Sequence, residues 1–113
     1  MEAPDDPRVV LVTAPDDEVA ARLARSLVAA RLAACVNRIG GVRSTFTWEG
    51  EVVDETEVLM IVKSTVGRLA ALERAVAAEH PYDTPEFVVL DPAHVAQPYL
   101  AWLRASVAED EGA

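Results

Sequence analysis

The stretch Val42-Arg43-Ser44-Thr45-Phe46-Thr47-Trp48-Glu49-Gly50-Glu51-Val52-Val53 decides the fold. Val42, Ser44, Phe46 and Trp48 alternate with Arg43, Thr45, Thr47 and Glu49, the period-two pattern of a half-exposed strand. Glu49-Gly50-Glu51 reads as a turn, and the chain returns through Val52-Val53 and the apolar run Val58-Leu59-Met60-Ile61-Val62. The two halves make a long β-hairpin, with Gly40-Gly41 marking a bend or bulge in its first strand.

Working outward, Arg8 to Thr13 is an expected strand. Its continuous Val9-Val10-Leu11-Val12 predicts burial on both faces. Pro15-Asp16-Asp17-Glu18 then opens a helix, because an Asp can cap free N–H groups and acids suit the positive end of the dipole. Ala20, Leu23, Ala24, Leu27 and Val28 form its apolar stripe, with Arg22 and Arg25 opposite. After the hairpin, Ser64 or Thr65 is the expected cap of a second helix, which buries Leu69, Leu72 and Val76 and ends near Glu79 or His80. Pro81 and Pro85 confine the next segment to a turn, since neither fits a helix interior and each pushes its predecessor toward extended geometry. Phe87-Val88-Val89-Leu90 is the fourth strand. A last helix from about Pro98 to Ala108 carries Leu100, Leu103 and Val107, with Tyr99 and Trp102 nearby.

The order β-α-β-β-α-β plus a C-terminal helix predicts an α+β, ferredoxin-like sandwich, with a doubly wound parallel sheet as the weaker alternative. The chain is read as one domain over residues 8–113, preceded by a flexible tail over residues 1–7. Strand direction is taken to gather Cys35, Lys63, Glu86 and the His80 turn along one edge of the sheet. The hairpin carries a second expectation. A strand from Ala34 to Trp48 spans roughly 50 Å, against about 34 Å for a compact domain of this length, so part of it overhangs. An exposed edge bearing Val42, Phe46 and Trp48 calls for pairing with other chains, and a closed homo-oligomer is expected.

The 113 residues carry a formal charge of −9. That sign disfavours nucleic acid and anionic membranes, which reward basic surfaces. The opening residues lack the basic and apolar regions of a signal peptide, and no apolar run approaches a membrane span. With Cys35 as the single cysteine, no intramolecular disulfide is available, and a reducing cytoplasm fits.

None of the strong local motifs for zinc proteases, phosphate-binding loops, dinucleotide folds or hydrolase elbows occurs. What remains is a constellation. Cys35, His80 and Glu86 offer a thiolate, an imidazole and a carboxylate, donor types suited to copper or zinc. Each also has a structural reading: a buried strand thiol for Cys35, a helix-terminal imidazole for His80, and an ion pair between Glu86 and Lys63, the only lysine. Lys63 and Glu86 alternatively line a polar pocket for a small anion or a metal complex. Tyr82 either points its hydroxyl there or packs its ring. Trp48 and Phe46 read as oligomer contacts. The acids Glu49, Glu51, Asp54, Glu55 and Glu57 read as a solvated hairpin edge, and His94 as surface.

Several separated blocks resemble one family. They are Val12-Thr13-Ala14-Pro15-Asp16, Arg31-Leu32-Ala33-Ala34-Cys35-Val36-Asn37, Trp48-Glu49-Gly50, Lys63-Ser64-Thr65, His80-Pro81-Tyr82-Asp83-Thr84-Pro85-Glu86 and Tyr99-Leu100-Ala101-Trp102-Leu103. From Val9 to Val107 the chain resembles the CutA family of divalent-cation tolerance proteins. That resemblance implies a cytoplasmic homotrimer built through the hairpins, much as in the PII signalling proteins. It also implies a role in tolerance of copper and other divalent metals, with no established reaction. Carried over, the metal positions are Cys35, His80 and Glu86, with Lys63, Tyr82 and Trp48 as pocket companions. Val12 stands where some relatives have a second cysteine, and Phe46 where tyrosine is common. The competing function is a PII-like signalling module in which Lys63 anchors a small anionic metabolite and a protein partner reads the result.

Overall fold

A computed structural model describes residues 2–109. Its elements run β1 (Pro7–Ala14), α1 (Asp17–Ala29), β2 (Cys35–Trp48), β3 (Glu51–Thr65), a short 3-10 turn (Val66–Arg68), α2 (Leu69–Glu79), β4 (Val88–Leu90) and α3 (Gln97–Val107). The strands form one sheet in the order β2-β3-β1-β4, every neighbouring pair antiparallel. With α1 and α2 against one face, this is the ferredoxin-like sandwich expected from the element order. No helix among the described residues is long and apolar enough to cross a membrane.

Local chemistry accounts for each boundary. Asp16 caps α1, its carboxylate accepting from the Val19 amide at 2.9 Å. Glu49 and Gly50, at φ 51° and 80°, form a two-residue hairpin turn whose backbone twist matches that of the flanking strands. The Gly40-Gly41 bulge lies where register slips between Ile39 and Val42, and Gly41 adopts φ 74°. The second helix begins differently from expectation. Thr65 makes no capping bond, and the buried Ser64 hydroxyl donates instead to the Leu32 carbonyl at 2.7 Å. The free amides of Val66 and Gly67 donate to Asp6 O and Pro4 O, at 3.0 and 2.8 Å. The N-terminal residues read as a flexible tail therefore serve as the cap. Ala3 to Asp6 form a strap against the start of the helix, and β1 begins at Pro7. Met1 lies outside the described residues.

The core lies between the helices and one sheet face, with Val10, Val12, Leu23, Leu27, Met60, Val62, Leu72 and Val76 almost wholly buried. Two expectations of burial are corrected. Val28 is exposed, because at about 100° per residue it sits roughly 80° around the helix from Ala20. β1 is fully buried on one face only: Val10 and Val12 are covered, while Val9 and Leu11 are half-buried. That second face continues through Leu59 and Ile61 to the exposed Ile39, Val88 and Leu90. The distal hairpin projects beyond the body, as its length predicted. The molecule measures 49 × 31 × 24 Å and leaves Phe46, Trp48 and Val52 open to solvent.

Candidate functional site

The end of β1 and the turn after α2 meet at His80. Pro81 forces His80 into extended geometry (φ −80°, ψ 138°) after its amide has closed the last helical bond to Val76 O. The ring then turns inward and is 7% exposed. Nε2 lies 2.7 Å from Thr13 O, which can only accept, so Nε2 carries a proton. Nδ1 accepts from the Tyr82 amide at 3.1 Å. These partners assign the neutral Nε2–H tautomer and occupy both ring nitrogens.

The Tyr82 ring packs on His80 at 4.6 Å between centroids, and its hydroxyl donates to Glu57 Oε2 at 2.9 Å. Glu57 is 8% exposed, so the acid read as part of a solvated edge is a buried partner of this turn. Its position follows from the bulge, which pairs Glu57 with Val42 and turns it inward beside Val58. The clue in the sequence was the failure of the acidic alternation at Glu57, opposite Gly40-Gly41. Burial, then the bond and charge of Glu57, then the charges of Glu55 and Asp16 push the Tyr82 hydroxyl up to about 12. Glu86 is also raised above the ordinary carboxylate range, by desolvation first and by Glu57 second. The site is an electronegative corner.

The raised Glu86 fixes the sign of a pH effect. A carboxyl that holds its proton more tightly when folded favours the native state at low pH, and that advantage is lost as pH rises through its folded value. Glu86→Gln is therefore expected to raise the urea midpoint at pH 7 relative to the parent. The difference should shrink as pH falls below the ordinary glutamate range. A Glu86→Gln midpoint that falls at pH 7 contradicts the assignment.

Cys35 and Lys63 lie elsewhere. They are direct neighbours across β2 and β3, at the end of the sheet where β1 starts. The Lys63 ammonium donates to Asn37 Oδ1, and the Cys35 thiol is free and half-buried. The gathering of all four residues along one edge is thus corrected. β4 runs antiparallel to β1, so the Glu86 end of β4 lies beside the end of β1, while β2 starts beside the start of β1. Val9 pairs with Lys63 and Thr13 with Leu59, which puts about 13 Å of strand between Cys35 and the His80 corner. Trp48 is farther still, 63% exposed at the hairpin tip. Among the described residues no three His, Cys, Asp or Glu side chains are grouped to hold a metal.

A four-stranded antiparallel sheet with helices on one face, an open second face and a carboxylate corner at Glu57 and Glu86 defines a small ferredoxin-like α+β protein. The profile of the CutA1 divalent ion tolerance protein family matches residues 8–106. The chain belongs to that family. A divalent-cation tolerance protein CutA from Pectobacterium atrosepticum is 47% identical over 102 residues, covering 90% of this chain and 93% of the relative. The solved divalent cation tolerance protein of Thermus thermophilus superposes with TM-score 0.86 at 46% identity, covering 88% of this chain and 97% of that one. CutA1 from Oryza sativa superposes with TM-score 0.89 at 41% identity, covering 92% and 95%.

Proposed function

We propose that this protein acts in the cytoplasm as a homotrimer that takes up copper or another divalent metal ion as part of the response to such ions. The observation that carries the reading is the electronegative corner, where the buried Glu57 accepts from Tyr82 and the solvent-facing Glu86 feels the charge of Glu57. A divalent cation offsets the cost of gathering such carboxylates, and oxygen with sulfur or imidazole donors suits borderline ions. Cys35 is remote from Glu86 in one protomer, so a mixed donor set draws Cys35 from a neighbouring chain. His80 can join only by exchanging its Tyr82 amide bond for the metal. Lys63, Tyr82 and Trp48 would line the same cleft.

Assembly is supported by the uncovered second face of the sheet and by the short exposed edge strand β4, features that soluble chains ordinarily cover. No catalytic reaction is assigned. The cytoplasmic placement rests on the single free thiol, although a CutA relative from Archaeoglobus fulgidus is described as periplasmic. Calorimetric titration with Cu(II) and Zn(II) tests the binding. Affinity should fall at least tenfold in Glu86→Gln and more modestly in Cys35→Ser, and it should weaken on acidification as the donors gain protons. Affinity unchanged in both variants contradicts the proposed site.

A further inference from the structure

Arg8 occupies a position where the strand pattern calls for an apolar side chain. It lies on the covered face of β1 with Val10 and Val12, opposite Ser64 of β3, and is 7% exposed. A guanidinium so far out of water needs close partners. Its Nη1 donates to Pro7 O at 2.7 Å, which fixes the direction of the fork. The two carboxylates it meets are held less well. Asp91 Oδ1 lies 3.3 Å from Nη1 and Glu2 Oε1 lies 3.2 Å from Nη2. Pairs of this kind close to about 2.7–2.9 Å, and arginine favours a two-point grip on a single carboxylate. Here each carboxylate makes one long contact, and the Glu2 and Asp91 side chains are 68% and 74% exposed. Ion pairs held from such exposed side chains contribute little and exchange readily.

The same arginine borders a cavity of about 460 Å³, between the N-terminal strap and the segment joining β4 to α3. That volume falls in the usual range of small-molecule sites, roughly 300–1,000 Å³. Val95 and Leu100 give the cavity apolar wall, and Asp6 and Asp91 line it beside Arg8. A simple anion would meet the two aspartates, and a simple cation would meet the guanidinium. A small molecule that carries both charges satisfies both.

We propose that this cavity binds a zwitterion of the α-amino-acid class with an aliphatic side chain. The ligand carboxylate takes the Arg8 fork in place of Glu2, its ammonium pairs with Asp91, and its side chain lies against Val95 and Leu100. Glu2, just ahead of the strap, is then an internal competitor for the site. The cavity is distinct from the Glu57 corner, since Arg8 and Thr13 are separated by about 16 Å of strand.

Calorimetric titration of the full-length protein with L-leucine tests the site. Isocaproate, which lacks the ammonium, and isoamylamine, which lacks the carboxylate, are titrated beside it. L-leucine should bind on the order of tenfold more tightly than either, the effect of one charge-assisted bond. Glu2→Gln should tighten L-leucine binding severalfold by removing the competing charge. Arg8→Lys keeps the charge but loses the fork, and should weaken binding on the order of tenfold while the urea midpoint stays near that of the parent. Glu86→Gln should leave L-leucine affinity unchanged, which separates this site from the metal reading. No binding of L-leucine at millimolar concentration, equal binding of either singly charged analogue, or an affinity that neither Glu2→Gln nor Arg8→Lys alters overturns the proposal.

Discussion

His80→Ala is expected to cost about 3 kcal/mol of folding stability, read as a lower urea midpoint at pH 7. Three losses combine. The Thr13 carbonyl, at the buried end of β1, is left without its donor, and the Tyr82 amide loses its acceptor. The buried ring also leaves a cavity beside Tyr82, which loosens the hydroxyl that Glu57 depends on. A loss below about 1 kcal/mol would mean that these bonds add nothing beyond what water supplies. The size of the effect matters for function as well. A histidine that staples α2 to β1 is first a structural residue, and any metal it binds must outcompete the Tyr82 amide.

Leu11→Asp is expected to convert the assembly to single chains. Leu11 lies on the uncovered sheet face between Ile61 and Val88, its partners across β3 and β4. If a second chain covers that face, a carboxylate at its centre is buried without a partner, which costs several kcal/mol for each contact. The mass in solution should fall from three chains to one chain of 12.2 kDa. Val28→Asp is the control, because Val28 is already 43% exposed on the outer flank of α1. It should leave the mass unchanged. Equal behaviour of the two variants would place the interface elsewhere.

The architecture was legible because it is written in local chemistry. The alternation from Val42 to Trp48, the Glu49-Gly50 turn, the Asp16 cap and the prolines flanking the His80 turn each act within a few residues. All four appear in the structure as the sequence suggested. What failed were inferences across space. The helix after β3 is capped by backbone from the N-terminal strap, and carbonyl acceptors of that kind have no residue signature. Glu57 looked like its solvated neighbours until a bulge on the partner strand turned it inward. Cys35 and Glu86 were placed together by a slip in strand direction, although the antiparallel order puts them at opposite ends of β1. The residue types at the site were therefore readable, but their grouping was not. Within the chain, two of the expected ligands, Cys35 and Glu86, lie apart.

The assembly and its metal are read together by native mass spectrometry of the protein equilibrated with Cu(II) or Zn(II). The account predicts a three-chain species that carries bound metal, and loss of that metal without loss of the assembly in Glu86→Gln. A single-chain species, or metal uptake that Glu86→Gln leaves untouched, would contradict it.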